Sequence, residues 1–163
     1  MHQQAFEWMA GAVRQLPIRR SVLEFGSRNV NGSPRSLFVH AENYVGVDIV
    51  PGEGVDVVAN AAEYSTDVRY DTVVCMEVLE HTDRGREICM NAYRHLLRGG
   101  VFLLTAAGHG REPHSAVDGK ELKEGEYYRN ITPADLRYWL SDFPFFLINT
   151  DTPGDIYALC VKW

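Results

Sequence analysis

The stretch Val22-Leu23-Glu24-Phe25-Gly26-Ser27-Arg28-Asn29-Val30-Asn31-Gly32 constrains this chain more than any other. A short apolar run breaks at a glycine, and Ser33-Pro34 then reads as a helix start. Ser33 offers a side-chain cap, and Pro34 suits a first helical position, where no N–H is needed. A buried strand running into such a turn presents backbone N–H groups to a small charged ligand. A binding site is therefore expected just beyond the first strand.

The rest of the chain repeats the theme of apolar strands ending in polar residues. Ser21 to Phe25, Asn43 to Ile49, Val55 to Val58, Asp71 to Met76 and Val101 to Ala106 read as five strands. Their ends carry Glu24-Phe25-Gly26, Asp48-Ile49, Asn60-Ala61, Met76-Glu77 and Ala106-Ala107. Helical spacing appears over Gln3 to Gln15, closed by Pro17, and over Asp83 to Leu97, with Thr82 as cap and Arg98-Gly99-Gly100 as stop. Thr132-Pro133-Ala134-Asp135 opens a further helix. Phe145 to Asn149 and Asp155 to Trp163, joined by Thr152-Pro153-Gly154, read as an antiparallel hairpin. Strands alternating with helices and closed by a hairpin give a mostly parallel α/β sheet, whose ligands bind beyond the carboxyl ends of its strands.

Between strand and helix, Gly108 to Ile131 has no periodicity but many polar and aromatic residues, as a functional loop does. A length of 163 residues suits a single domain spanning 1–163, with an N-terminal helix over 1–17 and a substrate-lid loop over 108–131. The net charge of -6 argues against a broad nucleic-acid footprint, and the basic groups Arg19-Arg20 and Arg94, His95 and Arg98 read as solvated surface. Cys75, Cys89 and Cys160 lie in apolar stretches without metal-type spacing, as in a reducing compartment. With no signal-peptide pattern and no apolar run near about twenty residues, the expectation is a cytoplasmic protein.

Two nucleotide fingerprints fail on residues. G-x-G-x-x-G counted from Gly26 meets Arg28 and Asn31, which argues against a dinucleotide-dependent oxidoreductase. A P-loop would need lysine where Ser33-Pro34 stands. What remains is a nucleoside site in which Asp48 accepts from two ribose hydroxyls. The alternative for Asp48 is a strand-end acid satisfied by turn amides.

Leu23-Glu24-Phe25-Gly26-Ser27, Tyr44-Val45-Gly46-Val47-Asp48, Asp71 through His81 and Leu97-Arg98-Gly99-Gly100-Val101 together resemble the successive motifs of class I S-adenosylmethionine-dependent methyltransferases, in particular the type 11 methyltransferase-domain group. The resemblance covers nearly the whole chain. It implies a Rossmann-like, seven-stranded, mostly parallel sheet with an antiparallel C-terminal hairpin strand and helices on both faces. It implies S-adenosylmethionine as cofactor, with Glu24, Gly26, Ser27 and Arg28 around the methionine end and Asp48 on the ribose. Ile49 and Val50 would border the adenine, with Asn60 and Ala61 at its edge. Met76 and Glu77 would face the amino group or sulfonium, with His81 as cofactor wall and helix start. The sequence departs from the family at Arg28, where a second glycine is usual, and at Asn60, where an acid is usual. Arg28 is expected to reach the cofactor carboxylate instead.

Methyl transfer from a sulfonium needs alignment, water exclusion and, for an oxygen acceptor, removal of a proton. His109, His114 and Tyr128 are the candidate base or substrate-binding groups, with Asp118, Tyr127 and Asn130 beside them in the lid loop. A metal site from His109, His114 and Asp118 has no signature spacing, so no metal is expected. The expected partner is a small-molecule acceptor, or an exposed oxygen or nitrogen, with neither nucleic acid nor membrane. The competing reading is a cofactor-binding, non-catalytic partner subunit of a methyltransferase.

Overall fold

Strand β1 (Ser21–Phe25) lies in the middle of the molecule because nearly every residue in it is buried on one face or the other. In the computed structural model, which describes residues 3–16, 20–151 and 154–163, β1 is flanked by β2 (Asn43–Asp48) and β4 (Tyr70–Met76), both parallel to it. The sheet has seven strands in the order β3-β2-β1-β4-β5-β7-β6, with β3 at Val57–Val58, β5 at Leu96–Ala107, β6 at Phe145–Thr150 and β7 at Asp155–Val161. Only β7 runs antiparallel, between β5 and β6. The order reverses between β1 and β4, where a doubly wound sheet opens its crevice.

Side chains alternate between two cores, as the pleat requires. Val22, Val74, Met76, Val101 and Leu103 face helix α1 (Gln3–Gln15), which contributes Ala5 and Met9. Leu23, Phe25, Val73, Cys75, Phe102 and Leu104 face α2 (Gly85–His95) and α3 (Pro133–Trp139), which contribute Ile88, Cys89, Ala92 and Leu136. All three cysteines are buried and unpaired. Among the described residues no helix is long and apolar enough to cross a membrane. Pro17, Arg19, Thr152 and Pro153, expected to close α1, form part of a basic pair and make the hairpin turn, lie outside the described residues.

Three elements differ from the sequence expectation. The helix expected from Ser33-Pro34 is a single 3-10 turn, Pro34–Leu37, with Ser33 Oγ accepting from the Arg35 N–H. Phe38 ends it by turning into the core beside Tyr44, while Arg35 bonds the Tyr44 carbonyl and Asp56, so both side chains pull the chain onto β2. Strand β3 is only two residues long because Gly54 has positive φ and the Asp56 carboxylate replaces a ladder partner for the Gly46 N–H. Helix α2 stops at His95 rather than Leu97, since Leu96 already pairs with Tyr70 and Lys162 caps the carbonyls of Tyr93 and Leu96. Leu97 to Gly100 is then an irregularity in β5, where the register shifts. At the other end, Thr82 Oγ1 accepts from the Arg84 N–H, one residue ahead of α2.

The segment 108–131 contains neither helix nor strand, yet its C-terminal end is fixed. Arg129 donates to the Glu80 carbonyl and Ile131 to that of Ala107, both from the backbone. Asn130 Nδ2 bridges the carbonyls of Gly108 and Arg111. A capping box of Thr132 and Asp135 then starts α3 as its sequence predicts.

Candidate active site at the carboxyl edge of the sheet

The turn after β1 is built around a glycine whose backbone and surroundings both disfavour a side chain. Gly26 has φ +78°, and a Cβ there would lie 2.1 Å from Val78 Cγ2. Its N–H and that of Ser27 both donate to the Val47 carbonyl, which closes the turn against β2. Beyond it, Asp48 uses both oxygens on turn amides: Oδ2 accepts from Arg28 N–H at 3.1 Å and Oδ1 from Val50 N–H at 3.0 Å. A carboxylate has about four acceptor positions, so this structural duty leaves capacity for a ligand hydroxyl.

These residues open onto a cavity of about 750 Å³ bounded by the strand ends and the 108–131 loop. Of the residues singled out from the sequence, Glu24, Gly26, Arg28, Asp48, Ile49 and Asn60 line it, as do Ala61, Met76, Glu77, His81 and His114. Ser27, His109 and Tyr128 do not line it. Ser27 is packed beneath Gly46, where a Cβ would meet its side chain at under 3 Å, and its Oγ has no hydrogen-bond partner. His109 is exposed at the root of the loop, where its carbonyl accepts from Gly154. Tyr128 stands behind the wall, edge-on to His81 and His114.

The departure at Arg28 has a specific outcome. Its guanidinium donates to the Val117 carbonyl at 2.7 Å and to that of Ala116 at 3.4 Å, so it ties the 108–131 loop to the glycine turn. Asn60 accepts the Ala62 N–H at its Oδ1, forming an Asx turn at the edge of the cavity.

Electrostatically the cavity floor is unusual. Glu24 is 2% exposed, and burial pushes its carboxyl up to about 7, although Tyr44 donates a 2.8 Å hydrogen bond to it. Glu77 is the single non-glycine residue with positive φ among the described residues, at 54°, a conformation that costs about 1 kcal/mol or more. It is held there by its backbone N–H on the Thr105 carbonyl, Thr105 Oγ1 on Oε1, and Arg111 on Oε2. Arg111 also donates to Asp155 at the start of β7. Burial and the nearby Asp155 push the Glu77 carboxyl up, while Arg111 opposes them. Burial also pulls His81 down to about 4, with His114 adding to the shift, so His81 is neutral at physiological pH.

Sequence reasoning missed Tyr44, Glu80, Arg111 and Asp155. Tyr44 and Glu80 stand inside the quoted motifs, so their positions were legible though their roles were not. Arg111 and Asp155 meet across 44 residues, and no local pattern announces such a pair.

No family model matches the chain, and no curated protein matches it. Solved structures do. The N-methyltransferase NodS from Bradyrhizobium japonicum WM9, in complex with S-adenosylhomocysteine, is similar at a TM-score of 0.70 and 13% identity over 98% of this chain and 86% of that one. A DhpI complex with S-adenosylhomocysteine gives 0.72 and 19%, covering 98% of this chain and 85% of that one. The 1,6-didemethyltoxoflavin-N1-methyltransferase from Burkholderia thailandensis gives 0.69 and 16%, covering 97% and 78%. At such identities what is shared is the backbone architecture: the chain has the Rossmann-like fold of the class I S-adenosylmethionine-dependent methyltransferases.

Proposed function

We propose that this chain is a cytoplasmic S-adenosylmethionine-dependent methyltransferase that transfers a methyl group to a small-molecule acceptor or an exposed oxygen or nitrogen. The observation that carries this reading is the convergence of Glu24, Asp48 and Met76 on one cavity at the point where the sheet reverses its winding. Neighbours of the same fold hold S-adenosylhomocysteine, which supports the same cofactor here.

In this reading Glu24 meets the cofactor's ammonium, Asp48 its ribose, and the exposed Ile49 and Val50 its adenine face. Arg28 acts on the lid rather than on the cofactor carboxylate. The cofactor supplies the reactive sulfonium. The protein contributes alignment of the acceptor for in-line displacement and exclusion of water by the 108–131 loop. His114 lines the cavity and is the stronger of the two loop histidines as an acceptor-facing group.

Calorimetric titration of S-adenosylmethionine and S-adenosylhomocysteine, beside Asp48→Ala and an NAD control, tests the proposal. Micromolar binding lost in the variant supports it. Absence of binding to folded protein overturns it, and tight NAD binding would restore the oxidoreductase reading. Binding with no turnover on any acceptor would favour a non-catalytic partner subunit.

A further inference from the structure

Behind the cavity wall, three buried side-chain atoms without hydrogen-bond partners belong to one cluster. They are Glu80 Oε2, His81 Nδ1 and the Tyr128 hydroxyl. Glu80 is 0% exposed, and a lone carboxylate oxygen in such a place is costly unless something binds it. The rings of His81, His114 and Tyr128 pack mutually edge-on, with centroids 5.0 to 5.5 Å apart. One ligand atom each from Glu80, His81 and His114 lies within 4.8 Å of the others.

The bonds already made leave the right atoms free. Glu80 commits Oε1 to the Ala107 N–H at 3.1 Å, which orients the carboxylate and leaves Oε2 available. His114 Nδ1 sits 3.0 Å from the Glu112 carbonyl, which fixes that nitrogen as the donor and leaves Nε2 with a lone pair. Metal-bound histidines are held in this manner, by a backbone carbonyl on the second nitrogen.

We propose that Glu80, His81 and His114 hold a divalent first-row transition-metal ion. Two imidazoles and one carboxylate suit such an ion and not Mg²⁺ or Ca²⁺, which favour all-oxygen ligation. Ligands about 2.1 Å from a tetrahedral metal stand about 3.4 Å apart. The closure required is therefore at most about 1.4 Å, and His114, on a loop, can supply it by side-chain rotation. His81 and His114 also line the cavity, so the ion's remaining positions are open to a hydroxyl or carboxylate of a molecule bound there. This replaces the sequence expectation of no metal, which weighed His109 and Asp118 as partners of His114. Glu80 and His81 are supplied by the 3-10 turn Leu79–His81 and its anchoring under β5.

The test is titration of the metal-free protein with Co²⁺, read by its visible ligand-field absorption, with Zn²⁺ as competitor. The expected result is one equivalent bound, displaced by Zn²⁺ and not by Mg²⁺. His114→Ala, a loop substitution, and Glu80→Gln, which keeps the shape of the side chain, should each weaken binding by tenfold or more. Saturation failing at millimolar Co²⁺, or affinity unchanged in His114→Ala, would overturn the site. Calorimetry with S-adenosylhomocysteine on the same samples separates the two proposals: cofactor binding without Co²⁺ binding removes the metal and leaves the methyltransferase reading intact.

Discussion

Arg28 occupies a place in the glycine turn where relatives of this fold were expected to have glycine, and its guanidinium donates to the Val117 carbonyl 2.7 Å away in the opposite wall of the cavity. One side chain thus couples the turn after β1 to a loop 89 residues further along. A charge-assisted hydrogen bond in a partly exposed setting contributes about 1 kcal/mol, or roughly fivefold in an opening equilibrium. Arg28→Ala should therefore speed hydrogen exchange and proteolysis in 108–131 by about that factor. Unchanged exchange there would mean the contact holds nothing.

Gly26→Ala should be among the most damaging single substitutions in the chain. It adds a methyl group 2.1 Å from Val78 Cγ2 at a positive φ. Shortening the partner in Gly26→Ala/Val78→Ala removes the collision but not the backbone strain of about 1 kcal/mol. Urea denaturation of the two proteins should place the double variant above the single one and below the parent. Equal stability of single variant and parent would contradict the turn geometry.

Asp48 has one observed duty, on two turn amides, and one proposed, on the ribose, and a variant pair can separate them. Asp48→Ala removes acceptors from the Arg28 and Val50 amides, an expected loss of about 1–2 kcal/mol in thermal or denaturant unfolding. Asp48→Asn keeps one oxygen acceptor and should recover part of that stability. If the proposed ribose contact exists, Asp48→Asn should still bind S-adenosylhomocysteine at least tenfold more weakly than the parent, as measured by calorimetry.

Glu24 makes stability depend on pH in a direction unusual for an acid. Its folded-state value is raised from 4.5 to about 7, so the folded protein holds a proton that the unfolded chain releases. The contribution is complete below about pH 4.5 and is lost as pH rises through about 7. The swing is on the order of 3 kcal/mol. Glu24→Gln should flatten this part of the curve and gain on the parent at pH 8, as read by chemical denaturation at a series of pH values. A parent curve that rises from pH 5 to 8 while the variant's is flat would reverse the assignment.

The sheet was legible because its strands are buried on both faces and their ends change character abruptly, as at Glu24-Phe25-Gly26 and Met76-Glu77. The cavity lining followed from the same ends. What escaped was settled by tertiary competition. Pro34 opens a helix by every local rule, yet Phe38 finds a core position beside Tyr44 and Arg35 finds Asp56, so the segment stops after one turn. Lys162, at the far end of the chain, caps α2 in place of the expected glycine stop. Residues 108–131 form a loop without helix or strand, but which of them reach the cavity depends on anchors such as Arg129 on the Glu80 carbonyl, which have no sequence spacing of their own.

The ion pairs that Arg111 makes with Glu77 and Asp155 give the last strand a part in the shape and charge of a cavity it does not line. Removing β7 would expose the flank of β5 and also take away one of the two acids that fix Arg111. Glu77 would then share its wall with a differently placed cation. Changes at the C-terminal edge of this protein can therefore reshape the cavity while the identity of every lining residue is kept.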